Sequence, residues 1–483
     1  MKKRYLYIAA VALLAGTSCK KYLEQAPDQR AALNSPEKVS ELLVTAYPNG
    51  SYFTFAEAMS DNAMDVSTTG IQDPKNADAY FWKDVTSTAQ DGPTWYWNAC
   101  YSAIAAANQA LDVCNKASNP KDYLGQKGEA LVARAYSHFM LVCLYSKAYD
   151  PATATTDVGI PYVTEPEKVV VKQYDRKTVA YVYEMIEKDL KEGIPLLNDK
   201  YSVPAYHFTR RAAHAFAARF YLWKRDYDKV IEESNLAFPS NDFAANFRPW
   251  LNYQSGTVTT TDLQNFYTNA TNPGNLLLGE AVSSYGIYYY RYQYAMSQNR
   301  CIQLISPFGN QWNALKVYST SSTFYFVMKY LAYFKRSSIN ANTGVYYTMC
   351  PLLTTEETLL NRAEASINKE LYTNALDDIN ALIRARITNY NTTTHLITDA
   401  RIMTYYAART TDKKEAYRMA LLDVKRAEFV NEGMRWMDIL RLKMPVTHTN
   451  SKGDVFELAA DDKRKLLQLP EEVTLSGVPL NPR

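Results

Sequence analysis

Apolar side chains recur at intervals of three and four over long stretches of this chain, the spacing of one buried helical face. Trp97, Tyr101, Ile104, Asn108 and Leu111 follow that spacing. Asn108 is polar on an otherwise apolar face, so its amide is expected to bond a neighbouring backbone, and Trp97 is expected in the core. Ser35-Pro36-Glu37 has the form of an N-cap followed by proline in the first turn. It opens a helix through Val39, Leu42, Leu43 and Ala46. Residues 126–146, dense in alanine and aromatics, predict another helix that closes at Ser146-Lys147-Ala148-Tyr149-Asp150-Pro151. Residues 60–94 are polar and irregular.

Two later segments repeat one another. Ala218 to Val230 aligns with Ala363 to Ala375: a small-residue helix, a short polar turn, then Tyr227 or Tyr372 and a second helix. This is the layout of a tetratricopeptide-like helical hairpin, in which small residues let paired helices approach. Arg225 and Glu370 stand where the turn usually has glycine. The 126–146 and 175–198 helices are partners in the same array, so at least three hairpins are expected, separated by insertions. The predicted fold class is mainly α. Between the repeats, residues 239–350 lose the helical period and fill with Thr, Asn, Pro, Gly and aromatics. So long an irregular insertion in a compact protein is usually functional, and its aromatics argue against disorder. It is the expected working face.

The N-terminus adds a destination. Lys2, Lys3 and Arg4 precede an apolar run from Tyr5 to Leu14, and small residues lead into Cys19. Ten apolar residues are too few to cross a ~30 Å hydrocarbon core as a helix, which takes about twenty. Residues 1–18 therefore read as an export signal, and Cys19 directly after it is the lipidation pattern of a bacterial lipoprotein. Gly16 departs from the usual leucine at that position, which keeps ordinary secretory cleavage as the alternative. The formal charge of +3 is carried by the leader, so the chain from Cys19 to Arg483 is neutral and lacks the basic block of a nucleic-acid binder. Cys100, Cys114, Cys143, Cys301 and Cys350 are irregularly spaced without CxxC. They leave room for one disulfide but not for a disulfide framework or a structural zinc site.

Several ordered motifs carry a resemblance. They are Cys19-Lys20-Lys21-Tyr22-Leu23-Glu24 behind the leader; Trp97, Tyr101, Ile104 and Asn108; Ala133-Arg134-Ala135-Tyr136 with Phe139 and Leu144-Tyr145; and Gly159-Ile160-Pro161-Tyr162-Val163-Thr164-Glu165. Pro351-Leu352-Leu353 with Glu357, Leu360 and Ala363-Glu364-Ala365 follows, then Arg426, Glu428-Phe429, Glu432-Gly433, Arg435-Trp436, Asp438 and Arg441. In this order they resemble the RagB/SusD family of nutrient-binding outer-membrane lipoproteins. Thr354, Lys425 and Met434 depart from its commoner residues at packing positions. The resemblance implies a SusD-like fold over 19–483. It also implies a surface lipoprotein anchored in the outer membrane through acyl chains such as palmitate, capturing oligosaccharide for a SusC-like TonB-dependent transporter. The family also permits peptides as cargo.

Candidate contacts follow from sugar chemistry, since pyranose C–H faces stack on aromatic rings. Tyr80 and Trp82 lie in the irregular N-terminal region, and Trp312 in the insertion. In Tyr285 to Tyr294 an extended backbone would put Tyr288, Tyr290, Tyr292 and Tyr294 on one face. That row forms either a glycan platform or a packing surface against the helices. The run Phe324 to Phe334 is too apolar for an open sugar site and is expected to be buried or to face the transporter. Glu428 and Glu432, one helical turn apart, invite a glycosidase reading, because retaining enzymes use two carboxyls about 5–5.5 Å apart. Pairing of Glu432 with Arg435 and of Asp438 with Arg441 along one helix accounts for them better, so no enzyme activity is expected. The five histidines are dispersed, and no GxSxG, P-loop or GxGxxG occurs, so no metal or other cofactor is expected.

Overall fold

A computed structural model describes residues 33–66, 68–167, 172–253, 257–309, 317–319 and 324–483. Cys19 and Trp312 lie outside these residues.

The helices begin where the capping residues stand. Ser35 accepts from the Lys38 N–H and opens α1 (Pro36–Leu43). The face through Trp97 and Leu111 belongs to α2 (Pro93–Lys116), which lies beside α3 (Leu124–Tyr145); α3 in turn packs on α4 (Val179–Gly193). Asn108 donates to the Val163 carbonyl at 3.0 Å, as its position predicts, and Trp97 is buried. Gly128 and Gly193 let α3 and α4 touch, because a Cβ on Gly128 would sit 2.8 Å from the Gly193 carbonyl oxygen. Arg134 crosses the same interface as a bidentate partner of Asp189, both contacts 2.7 Å.

The two repeated segments form hairpins of one geometry. The first joins α5 (Arg210–Lys224) to α6 (Tyr227–Ala237), the second α7 (Thr355–Asn368) to α8 (Tyr372–Arg384). Arg225 and Glu370 adopt the left-handed conformation that glycine fills elsewhere, with φ of 63° and 61°. Each turn closes with the same pair of bonds: Arg225 N to Leu222 O and Asp226 N to Tyr221 O, Glu370 N to Ile367 O and Leu371 N to Ser366 O. This is the Schellman arrangement. Arg219 of α5 and Glu357 of α7 tie the hairpins together through a buried ion pair.

The C-terminal signature is not one helix. α9 (Lys413–Glu428) stops at Glu428, and α10 starts at Met434 and runs to Arg441. Asn431 and Gly433 between them have φ of 65° and 70°, which breaks the helix. Its charges then find distant partners. Glu428 pairs with Arg386 of the segment after α8 at 2.7 Å, Glu432 with Lys329 at 2.5 Å, and Arg435 with Asp61 at 2.8 Å. Only Asp438 and Arg441 pair locally, at 2.9 Å. The expected Glu432–Arg435 pair is therefore replaced.

The described residues of the 239–350 insertion hold more regular structure than the lost helical period predicts. Strands β1 (Asn275–Val282), β4 (Ala332–Arg336) and β5 (Gly344–Thr354) make an antiparallel sheet in the order β1-β5-β4. β1 is buried at every residue except Glu280, the fully apolar Leu276–Leu278 stretch included. Strands β2 (Val317–Ser319) and β3 (Tyr325–Val327) pair beside it, and β6 (Val446–Thr449) with β7 (Val455–Leu458) forms a C-terminal hairpin. The five cysteines from Cys100 to Cys350 are free and buried. The run from Phe324 divides: Phe326 to Tyr330 are interior, whereas Tyr333 and Phe334 are exposed.

Candidate functional site

The tyrosine-rich segment is held at its start from far away in sequence. Asp91, buried with φ of 68°, accepts from Ser284 N at 2.8 Å and Ser284 Oγ at 3.0 Å, and also from Ser283 Oγ. Burial raises its carboxyl above the ordinary aspartate range. So anchored, Tyr285–Tyr288 coils into a single helical turn, and Tyr289 keeps helical dihedrals. The extended reading of this segment is thereby corrected. Helical spacing sends Tyr285, Tyr289 and Tyr292 inward, all at most 3% exposed, and leaves Tyr288, Tyr290 and Arg291 outside. Tyr285 OH donates to Asn431 O at 3.0 Å and Tyr289 OH to Val327 O at 2.7 Å, which fixes the turn.

Tyr292 is thus a core residue, and so are Tyr80 and Trp82. Tyr294, Tyr80, His448 and Trp82 form one continuous stack, with centroid separations of 4.3, 4.0 and 4.4 Å. Both faces of Tyr80 are taken by rings, and Trp82 lies between His448 and the Arg464 guanidinium, 5.8 Å from its centroid. Tyr80 OH donates to Thr449 O and Trp82 Nε1 to Met59 O. No ring face remains for a sugar. The stack instead clamps the β6–β7 hairpin onto the N-terminal region.

Tyr288 and Tyr290 stay half-exposed. Tyr290 stacks on Phe326 of β3 at 4.6 Å and 29°, and Phe326 on Tyr318 of β2 at 6.0 Å and 23°. Arg291 lies over Tyr290 at 5.3 Å, and its side chain is exposed. The result is a stack of near-parallel rings whose middle member, Phe326, is buried, with Tyr290 and Tyr318 half-exposed at its ends and a cation over Tyr290. The half-exposed parts of Tyr290 and Tyr318 beside the exposed Arg291 side chain pair apolar ring surface with hydrogen-bond donors, a combination that suits the apolar C–H and polar hydroxyl groups of a pyranose. Tyr318, Phe326 and Arg291 were not singled out from sequence as contacts. Phe326 lies in a run too apolar to suggest a site, and the extended reading put Arg291 on the opposite face from Tyr290.

The acids of the C-terminal signature are committed elsewhere. Glu428 is 1% exposed and held by Arg386, whose charge keeps its carboxyl below the ordinary glutamate range. Glu432 is enclosed by Lys329 and Tyr267. No group of three potential metal ligands occurs among the described residues, and no described helix is long and apolar enough to cross a membrane.

Comparison with known proteins places this architecture. The profile described as "SusD family" matches residues 223–467, and one described as "Starch-binding associating with outer membrane" matches residues 21–222. The chain belongs to the SusD family. A SusD superfamily protein of Bacteroides thetaiotaomicron superposes with a TM-score of 0.65 at 18% identity, covering 93% of this chain and 100% of that one. A SusD-like carbohydrate-binding protein of Bacteroides vulgatus gives 0.65 at 15% identity, over 92% and 97% of the two chains. A laminarin-binding SusD-like protein gives 0.61 at 15% identity, over 93% and 99%. At these identities the likeness is one of fold. No curated protein matches the sequence. The mainly α scaffold is that of a SusD-like fold, and its family signatures fall on buried ion pairs and helix contacts.

Proposed function

We propose that this protein is a non-enzymatic, surface-exposed lipoprotein that captures oligosaccharide at the outer membrane and passes it to a SusC-like TonB-dependent transporter. The observation that carries the reading is the Tyr290–Phe326–Tyr318 ring row with Arg291 at its edge. In this reading the half-exposed tyrosines contact the apolar side of a sugar and Arg291 its hydroxyls, without moving parts. Membership of the SusD family supports the capture role, and the carbohydrate-binding and laminarin-binding relatives support a glycan as cargo. Tyr288 and Trp312 belong to the proposed contacts by their place in the same insertion.

Cys19 is the proposed lipid attachment point. One acyl chain binds a membrane only reversibly, whereas several together anchor stably. The chain would then stay beside its transporter while the transporter supplies the energy for import. Two experiments test this. Cys19→Ala is expected to move the exported protein from the outer-membrane fraction to the soluble one. Affinity purification of the tagged full-length chain from native outer membranes is expected to bring down a large β-barrel. Unchanged membrane retention of the variant contradicts the anchor, and recovery of the chain alone contradicts the partner.

A further inference from the structure

A cleft of about 700 Å³ opens on the far side of the β1-β5-β4 sheet from the tyrosine turn. Its volume lies within the ~300–1,000 Å³ of small-molecule sites. The two faces of the sheet are separated by register. Ala332 pairs with Thr348 on one face, and there the Tyr285–Tyr288 turn docks: Gly286 N donates to Thr348 Oγ1 at 3.2 Å. A Cβ at Gly286 would come within 2.9 Å of Ala332 Cβ, so only glycine permits this approach. The paired residues one step along point the other way. Glu280 pairs with Met349, Val282 with Tyr347, and Tyr347 with Tyr333, so this set shares the opposite face.

Glu280 and Met349 form part of the cleft floor, facing walls made by Val44 and Thr45 just beyond α1, Ser102 of α2, and Tyr206. Asn49 fixes one rim, because its side-chain oxygen accepts the Val282 N–H at 2.9 Å and leaves its NH₂ as a donor. Glu280 is exposed and makes no hydrogen bond or ion pair with a described residue. From Met349 the same face continues about 7 Å along β5 to the next side chain, Tyr347. That ring lies beside Tyr333 at 5.6 Å and 12°, and Tyr333 is 39% exposed. Lys335 Nζ sits 5.5 Å from the Tyr347 centroid. On one sheet face a pocket with a carboxylate, an amide and hydroxyls is therefore followed by a pair of near-parallel rings, Tyr333 exposed and Tyr347 half-buried.

We infer that this cleft and the Tyr347–Tyr333 pair form a second glycan site, taking a neutral oligosaccharide with one residue in the pocket and the next stacked on the tyrosines. For its ligand class the inference rests on the glycan-capture reading above. A carboxylate accepts two vicinal hydroxyls at once, and the amide and hydroxyls around it supply the complementary donors and acceptors. The formal charges at the two ends, Glu280 and Lys335, balance, so a neutral chain fits better than a charged one. Addition of a peptide strand along the β4 edge is less suited, because Lys335 and Arg336 stand on that edge and charges there oppose strand pairing.

The test is titration calorimetry of the mature chain with maltoheptaose, laminarihexaose, cellohexaose, xylohexaose and mannohexaose. The variants are Glu280→Gln, the double substitution Tyr333→Ala with Tyr347→Ala, and Tyr290→Ala. Glu280 and Tyr333 are exposed and Tyr347 and Tyr290 half-buried, and unchanged melting temperatures serve as the folding control. The inference expects at least one sugar whose Kd rises tenfold or more in both Glu280→Gln and the tyrosine double variant. A sugar that binds and is weakened only by Tyr290→Ala overturns the second site and leaves the capture reading standing. Binding by none of the five overturns both. Binding of peptides from a tryptic casein digest that is lost in the cleft variants, with no sugar bound there, overturns the ligand class.

Discussion

Arg386 and Glu428 meet as a bidentate pair, Nε to Oε2 at 2.7 Å and Nη2 to Oε1 at 2.8 Å, with both side chains wholly out of reach of solvent. Arg386 also reaches Glu356 at 3.0 Å and the Arg248 carbonyl at 3.2 Å, so one guanidinium joins α7, α9 and the start of the insertion. Such a pair is costly to break, because either partner left alone is a buried charge. Removing one half of a buried pair typically destabilises by about 3–5 kcal/mol. Glu428→Leu is expected to lower unfolding free energy by that amount in urea titrations. A loss below ~1 kcal/mol would show that Arg386 finds other acceptors and that the pair is not what holds the signature together.

Two titratable groups give opposite pH dependences. Glu57 is half-buried and accepts from Gly433 N at 2.8 Å, and desolvation pushes its carboxyl up from 4.5 to about 7. The folded state then holds a proton that the unfolded state has released, so stability falls as pH rises from 4.5 to 7. His138 is pushed down by burial from 6.5 to about 3. Its Nε2 accepts the Val163 N–H at 3.0 Å, which requires the neutral ring. Here the unfolded state holds the extra proton, so stability is complete above 6.5 and is lost as pH falls toward 3. Each slope is about 1.4 kcal/mol per pH unit. The two cancel between 4.5 and 6.5. Denaturant titrations are expected to show stability rising with pH over that window in Glu57→Gln and falling in His138→Gln. Parallel profiles for the two variants would contradict the assignment.

Glu370 occupies a left-handed turn at φ of 61° with an exposed side chain. A non-glycine residue in that conformation costs roughly 1–2 kcal/mol, partly offset by glycine's greater freedom in the unfolded chain. Glu370→Gly is expected to stabilise by about 0.5–1 kcal/mol, and Glu370→Ala to give no gain. Arg225→Gly is a poorer choice, since Arg225 also lies 3.7 Å from Asp150. Thermal unfolding of the three variants decides the matter: a lower Tm for Glu370→Gly than for wild type rules out strain at this turn.

The helical scaffold was legible because its determinants are local. The cap at Ser35, the 3.6 period through Trp97 and Leu111, and the matching turns at Arg225 and Glu370 all lie within a few residues of what they control. The C-terminal signature misled because Asn431 and Gly433, each with positive φ, end a helix that its charge spacing would continue. The site was legible only in part. Tyr288 and Tyr290 do face outward, but the reason is a turn fixed by Asp91, nearly 200 residues upstream. Tyr80 and Trp82 are removed from the surface by His448 of β6, a ring whose approach nothing near residue 80 encodes. Aromatic side chains chosen by composition and region fall equally well into a core or onto a platform. Distant contacts separate the two outcomes.

The Tyr290–Phe326–Tyr318 row bears the central claim, and calorimetric titration of the mature chain and of Tyr290→Ala with laminarihexaose and maltoheptaose tests it most directly. Loss of the half-exposed Tyr290 ring is expected to raise Kd about tenfold, equivalent to roughly 1.4 kcal/mol. Arg291→Ala is expected to have a smaller effect in the same direction, with the melting temperature of both variants unchanged. Sugar binding by the wild-type chain that weakens in this way is the predicted result. Binding of neither sugar, or binding untouched by Tyr290→Ala, would contradict glycan capture at this face.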